Sequence, residues 1–531
     1  MPGTHESAVT LKRRDLIRAA PFVLPALKTR PASAAPCAAP VAGMNVILFL
    51  SDQERAIQHF PEGWEAENLP GSMRLREHGL SFERAFCNSC MCSPSRATLF
   101  TGYFPAQHGV TDTLSFGTRF SASERVLPRD LPNLATVFSA AGYEVAYKGK
   151  WHLSKPLAAP DDPEAWTPED LEVYGFQRWN PPDAGENRDA SQFGGGTADN
   201  DGRIMTGDGP VADGREGVLA YLRDVAARQQ PFLLVVSLVN PHDVLAYPRT
   251  WEDGGYAASD WLEGELGLPP TVAEDLASKP TAQGQFARWL NIGLGPLRDD
   301  AARENYVNFY GNLIKATDAW LVDLLDTLDE LNLRDDTLIV RTSDHGEMGM
   351  AHGGVRQKSF NAYEESLRVP LIYSNPRLFP EPRQSDALVS HVDLLPTLAT
   401  LIGAPGAARA GWQGVDYATL ILDADAAPVQ EEVVFTYDDL RCAQNIAQLA
   451  QPPNRIIALR EERYKLARYY DDAGIEADQW ELYDLETDPD EQINLAAPGF
   501  VPTPEQAASR ARLTARLADI TATRLQPLAA P

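Results

Sequence analysis

The chain has 531 residues, 44% apolar and 23% charged, the composition of a globular protein long enough to bury a large core in more than one structural unit. A formal charge of -27 argues against nucleic acid, an anionic membrane surface or a long polyanionic glycan as partner, but not against a small anionic substrate held in a local cationic pocket. Five cysteines make no disulfide scaffold at this length, and no apolar run is long enough to span a bilayer.

Taken in chain order, residues 11–17 carry Arg13-Arg14 ahead of an apolar stretch, and Ala32-Ser33-Ala34-Ala35 follows as a small-residue cleavage pattern. Residues 1–36 are therefore expected to be a twin-arginine export signal and tail, giving a periplasmic or secreted protein; without export it is cytoplasmic. Residues 44–50 are continuously apolar, which predicts a strand buried on both faces of a parallel sheet. The strand runs into Asp52-Gln53, and in open α/β sheets ligands gather at such strand ends.

Next comes Cys90-Met91-Cys92-Ser93-Pro94-Ser95-Arg96, with Cys87 close by. Serine and proline mark a helix start here, placing Cys92 at free backbone N–H groups and the positive end of the dipole. Arg96 adds a planar charged fork suited to a tetrahedral oxyanion, so a nucleophile aimed at a phosphoryl or sulfuryl group is expected. Residues 132–141 read as a helix and 143–147 as a strand, closed by Lys148-Gly149-Lys150-Trp151-His152. Residues 156–214 read as a long surface insertion.

A second buried strand, 232–239, runs into Asn240-Pro241-His242-Asp243. Residues 248–300 are irregular and expected to cap the site, and 304–331 form a long helix whose aromatics face the core. Residues 337–342 lead into Ser343-Asp344-His345-Gly346-Glu347, 369–373 form another strand, and 389–393 introduce a helix through Leu401. Beyond Gly414, segments 432–437, 456–460, 464–469 and 480–484 alternate as antiparallel strands do, before a helix at 504–525. Taken singly, each lysine reads as a solvated charge and each histidine as a structural one; His352 and His391 keep that reading.

The run C-x-P-S-R at Cys92, followed by Leu99, Thr101-Gly102 and Pro105, resembles the maturation signature of type I sulfatases. Glu481-Leu482-Tyr483-Asp484-Leu485, with Asp488-Pro489 and Asn494-Leu495, resembles the closing segment of the same family, so the resemblance covers residues 44–495. Cys90 and Arg96 also satisfy the C-x5-R pattern of cysteine-dependent phosphatases. There Ser89 replaces the usual histidine, Ala97 the usual serine or threonine, and the loop lacks glycine, so that reading ranks far lower.

The resemblance implies an α/β, alkaline-phosphatase-like three-layer sandwich with a mostly parallel central sheet at 44–410. A smaller C-terminal α+β subdomain with an antiparallel sheet follows at 411–531. It implies that Cys92 is oxidised to formylglycine by a formylglycine-generating enzyme, and that Asp52, Gln53, Cys92, Asp344 and His345 hold a divalent metal. Calcium is expected; the histidine keeps manganese, magnesium and zinc open. Arg96, Lys150 and Lys358 would hold the sulfuryl oxygens of a small sulfate ester. His242 would protonate the leaving alcohol with Lys358 assisting, and His152 would help release sulfate from a covalent sulfo-enzyme. The pairs Asp52-Gln53 and Asp344-His345 resemble those of choline sulfatases and phosphonate or phosphodiester hydrolases, so a phosphonate monoester hydrolase stands as the alternative. A non-catalytic binding protein on this fold is disfavoured, because every expected polar position is filled.

Overall fold

The first apolar run forms strand β1 (Asn45–Asp52), buried along its whole length. Val46, Leu48 and Leu50 enter one core while Ile47 and Phe49 enter another. A strand covered on both faces has no polar side, which is why its sequence is unbroken apolar. The computed structural model describes residues 41–56, 59–186, 189–207, 215–406 and 411–528; the export-signal expectation for residues 1–36 lies outside the described residues.

After β1 come β2 (Gly79–Phe82), β3 (Ala85–Phe86), β4 (Glu144–Gly149), β5 (Phe232–Pro241) and β6 (Thr337–Ser343). Then follow β7 (Arg368–Val369), β8 (Leu371–Ser374), β9 (Arg383–Ser385) and β10 (Val389–Ser390). Among the described residues these form a seven-stranded sheet, ordered β4-β5-β1-β6-β8-β2-β9, and a small sheet, β10-β3-β7. The four strands β4, β5, β1 and β6 run parallel. The helix Asp300–Glu330 packs Leu321, Leu324, Leu325 and Leu328 against the Ile47 face, while helices Leu134–Ala140 and Leu394–Leu401 cover the Val46 face. The expected three layers result.

At the C-terminal end, β11 (Glu432–Tyr437), β12 (Arg455–Glu461), β13 (Tyr464–Tyr470) and β14 (Gln479–Asp484) pair antiparallel in sequence order. Val433, Phe435 and Tyr437 face Phe86, Met348 and Phe360 of the larger part. Val434, Leu459 and Leu466 face Leu513, Leu517 and Ile520 of the helix Pro504–Thr523. Alternation along each strand thus matches two different coverings.

Two readings change. The strand expected at 369–373 is cut at Pro370, which has no N–H for the ladder, so β7 and β8 belong to different sheets. The irregular cap at 248–300 contains the helix Thr281–Gly293. The loop aromatics Trp166, Tyr174, Trp179, Trp251 and Tyr256 are buried and hold the loops together, Trp166 meeting Trp179 edge-on at 5.4 Å and Tyr256 meeting Phe309 at 5.0 Å.

Behind the sheet's ligand-binding edge, His352 stacks on Tyr363 at 3.6 Å, with Nδ1 2.7 Å from Glu274 and Nε2 3.6 Å from Glu365. Burial alone would depress this imidazole, but the carboxylates of Glu365 and Glu274 raise its pKa to about 9. A folded-state pKa above the unfolded value of 6.5 gives stability that is complete below pH 6.5 and lost as pH rises through about 9. Urea unfolding across that window is expected to show a loss on the order of 3 kcal/mol that His352→Gln, which has nothing to titrate, does not show. Equal slopes in the two proteins would contradict the ion-paired state.

Candidate active site

Cys92 is the first residue of a ten-residue helix, Cys92–Thr101, entered from extended Met91 and closed by Gly102 in the left-handed region. All ten residues are buried, so the helix N-terminus opens inside the protein. The parallel strands bring the other groups to the same edge. Asp52 ends β1, Lys150 and His152 follow β4, His242 follows β5, and Asp344 and His345 follow β6. At Gly149 a Cβ would lie 2.0 Å from the Ser237 carbonyl oxygen, so only glycine lets the turn carrying Lys150 approach β5 this closely. All ten candidate residues are buried.

Arg96 joins the two acidic strand ends. Its Nη2 lies 2.8 Å from Asp52 Oδ2 and its Nε 2.9 Å from Asp344 Oδ2, while Nη1 donates to the Lys150 carbonyl and to Ser237 Oγ. Lys150 Nζ lies 2.6 Å from Asp52 Oδ2 and donates to the Gly185 carbonyl. Arg96 and Lys150 were expected at the substrate's oxygens; here their donors engage these carboxylates, backbone carbonyls and the Ser237 hydroxyl. The second oxygens turn inward: Asp52 Oδ1 lies 3.8 Å from Cys92 Sγ, and Asp344 Oδ1 lies 3.6 Å from His345 Nε2.

His345 Nδ1 donates to the Gly346 carbonyl, which turns Nε2 to within 3.2 Å of Cys92 Sγ. His152 Nε2 donates to the Leu114 carbonyl at 2.9 Å, so its buried Nδ1, which has no partner, is the basic nitrogen. Asp183 accepts from the backbone N–H groups of Trp151 and His152, 2.8 Å each, and fixes that turn. His242 Nε2 stands 3.9 Å from Asp52 Oδ1. Gln53, with φ 69, donates its backbone N–H to Asp344 Oδ1; its amide meets Glu347, Gln357 and Lys358. Gln53 was expected as a ligand; here its backbone N–H reaches the acidic pair and its amide oxygen accepts from Lys358.

The charges follow from this arrangement. Burial pushes the Cys92 thiol up, but Lys150, Lys358 and His345 together hold it well below the ordinary value. Burial also opposes ionisation of Asp52, and Lys150, His242 and Arg96 outweigh it, so Asp52 stays a carboxylate. Burial and the adjacent Asp52 raise Asp344 to about 6 despite His345 and Arg96. Burial and Lys150 lower His242 to about 4, so it is neutral at neutral pH.

The ligand atoms of Asp52, Cys92, Asp344 and His345 all lie within 4.8 Å of one another. Two carboxylate oxygens and one imidazole nitrogen suit a divalent cation, and the raised Asp344 marks a place where added positive charge would be favourable. Cys92, His152, His242 and Lys358 border a cavity of about 470 Å³, and Arg96, Lys150 and the acidic pair lie behind it. Sequence reasoning missed Ser237, Asp183 and Glu347. A lone serine inside the apolar run Phe232–Pro241 was a readable signal for the first, whereas Asp183 lies in the insertion without a motif.

The sulfatase family model matches residues 44–404, and the model of the N-sulphoglucosamine sulphohydrolase C-terminal region matches residues 352–522. An ulvan-active sulfatase of Formosa agariphila is 27% identical over 460 residues, covering 85% of this chain and 76% of the relative. A choline-sulfatase of Rhizobium meliloti is 27% identical, covering 89% and 85%. The crystal structure of a phosphonate monoester hydrolase of Agrobacterium radiobacter superimposes with a TM-score of 0.62 at 21% identity, covering 91% and 96%, which is a likeness of fold. With more than half of its length matched by that first model, the chain belongs to the sulfatase family and is a sulfuric ester hydrolase.

Proposed function

We propose that this protein cleaves small sulfate esters with a formylglycine hydrate made from Cys92, beside a divalent cation. The observation that carries the reading is the convergence of Cys92 Sγ, two inward carboxylate oxygens and His345 Nε2 at the floor of a cavity bordered by His152, His242 and Lys358. Asp52, Asp344 and His345, with Gln53 and residue 92, would hold the cation. Calcium is favoured by the oxygen-rich set, with manganese, magnesium and zinc compatible with the histidine. When bound, the cation supplies the charge that acidifies a hydroxyl and stabilises developing negative charge on the sulfuryl oxygens. The aldehyde hydrate supplies two hydroxyls on one carbon, one to attack sulfur and the other to expel sulfate.

The remaining work belongs to the chain's own side chains. Arg96 and Lys150 keep the acidic pair ionised and aligned, and Lys358 faces the sulfuryl oxygens from the cavity wall. His242, neutral at rest, donates its N–H toward the leaving oxygen. His152 accepts a proton at Nδ1, which its hydrogen bond to Leu114 leaves free. Because Cys92 is 2% exposed and Arg96 fully buried, a maturing enzyme has to read this segment before the helix packs. Twin-arginine export, which carries folded proteins, agrees with that order and with a periplasmic or secreted location. Among the described residues no helix is long and apolar enough to cross a membrane.

A second reading, phosphonate monoester or phosphodiester hydrolysis at the same site, is favoured by the Asp52-Gln53 and Asp344-His345 pairs. Parallel kinetics on aryl sulfate and aryl phosphonate esters, on protein whose conversion at Cys92 has been verified by intact mass, decide between them. A higher kcat/KM on the phosphonate overturns the sulfate preference. Cys92→Ser, with one hydroxyl instead of two, is expected to stop after at most one covalent turnover and to lower kcat by on the order of 10³-fold or more. Sustained turnover by that variant rules out the aldehyde hydrate. Chelation is expected to abolish activity and remove about one equivalent of metal by atomic emission, with recovery on adding back a divalent cation; full rate in metal-free protein contradicts the cation's role.

A further inference from the structure

Behind Gln53 stands an acid that none of the steps above uses. Glu347 is fully buried and held at one oxygen by three donors: Tyr306 Oη at 2.6 Å, the Gln357 N–H at 2.8 Å and the Gly349 N–H at 3.2 Å. Its other oxygen, Oε2, accepts from Gln53 Nε2 at 2.5 Å. Gln357 Oε1 accepts from the same amide nitrogen at 3.3 Å. Both neighbours are acceptors at the contact, so the amide has one favourable orientation, nitrogen toward Glu347 and oxygen away from it. The oxygen so directed accepts from Lys358 Nζ with one lone pair and keeps the other for the cation that Gln53 would help to hold.

Gln53 is itself constrained from outside its side chain. Its backbone lies in the left-handed region, and Tyr310 Oη donates to its carbonyl at 2.7 Å while its N–H donates to Asp344. A non-glycine residue keeps such a conformation only where its surroundings over-determine it. Among the described residues Lys358 forms no ion pair, and its ammonium rests on a neutral amide oxygen at the cavity wall. A carboxylate at that place would neutralise it, whereas an amide locates it and leaves its charge for an anion in the cavity.

We infer that Glu347 is a positioning residue that acts through Gln53 to set where the Lys358 ammonium stands in the cavity. The inference rests on the proposed function, in which Lys358 faces the oxygens of the substrate. In Glu347→Gln the three donors keep the amide oxygen on their side and turn its nitrogen toward Gln53, so the Gln53 amide loses the acceptor that fixed its orientation. Lys358 then samples several positions, which weakens binding of the oxyanion more than it slows the chemical step.

A double-mutant cycle tests this, with Glu347→Gln, Lys358→Met and the pair, each converted at Cys92 and read by KM, by kcat and by calorimetric binding of inorganic sulfate. Expected is an increase of about tenfold in KM and in the sulfate Kd for Glu347→Gln alone, a smaller change in kcat, and little further loss when the substitution is added to Lys358→Met. Losses that multiply in the double variant, or a Glu347→Gln protein with unchanged KM and sulfate Kd, overturn the positioning role. If Glu347→Gln does not fold, Glu347→Asp, which withdraws the acceptor by one methylene, takes its place in the cycle. Wild-type protein that turns over aryl phosphonates and not sulfate esters overturns the proposed function instead, and the cycle is then read on the phosphonate ester and inorganic phosphate.

Discussion

Arg96 sits with no exposed surface between two carboxylates, and its Nε and Nη2 each donate to one of them. Two acids on adjacent strand ends cannot both stay charged in a buried site without such a partner. The guanidinium is planar and permanently charged, so it also fixes how each carboxylate is turned: the outer oxygens go to Arg96 and the inner ones toward Cys92 and His345. Lys150 supports the same Asp52 oxygen from the turn after β4, on the far side of β5. The geometry at Cys92 therefore depends on a cation that is not itself at the cavity wall.

The sheet and the loops divide the labour. Parallel strands β4, β5, β1 and β6 deliver chemically active groups to one edge, in register with one another, because all four end there. The rest of the cavity comes from elements that have no counterpart in that register. The helix Thr281–Gly293 contributes Phe286, Trp289 and Leu290, and the segment after β11 contributes Cys442, Gln444 and Asn445. That segment is anchored by Asp439, which accepts from the N–H groups of Thr113, Arg441 and Cys442. One wall is thus apolar and aromatic and another is rich in amides, supplied by two segments distant from each other in sequence. Leaving-group selectivity can change there without disturbing the acidic pair.

Much of the framework was legible because it rests on local rules. Apolar runs marked β1 and β5, a shorter β-branched run marked β6, and alternation marked β11 to β14; the positions that follow the parallel runs held Asp52, His242 and Asp344. Serine and proline near Cys92 marked a helix start, and the helix does begin at Cys92. The short strands β2, β3, β9 and β10 had no comparable signal, since two to four residues are too few for a period to show. The split of 369–373 was readable at Pro370 in principle, but which half joined which sheet depends on partners distant in sequence.

The same division holds within the site. By itself the sequence determined which groups reach the ligand-binding edge, because strand ends and a helix start are set by neighbours a few residues away. What only the tertiary structure decided is how each group is used. Arg96 and Lys150 were legible as cations but not as partners of Asp52 and Asp344, and Gln53 was legible as a strand-end donor but not as an amide turned by Glu347 toward Lys358. Asp183 carried no sequence mark of its role, and the lone serine in β5 marked a position without telling that Arg96 would meet it. The physical reason is that hydrogen-bond direction and charge compensation are settled between residues up to about 300 positions apart, as Gln53 and Lys358 are at a separation of 305, and no local pattern encodes which of several buried acceptors a donor will meet.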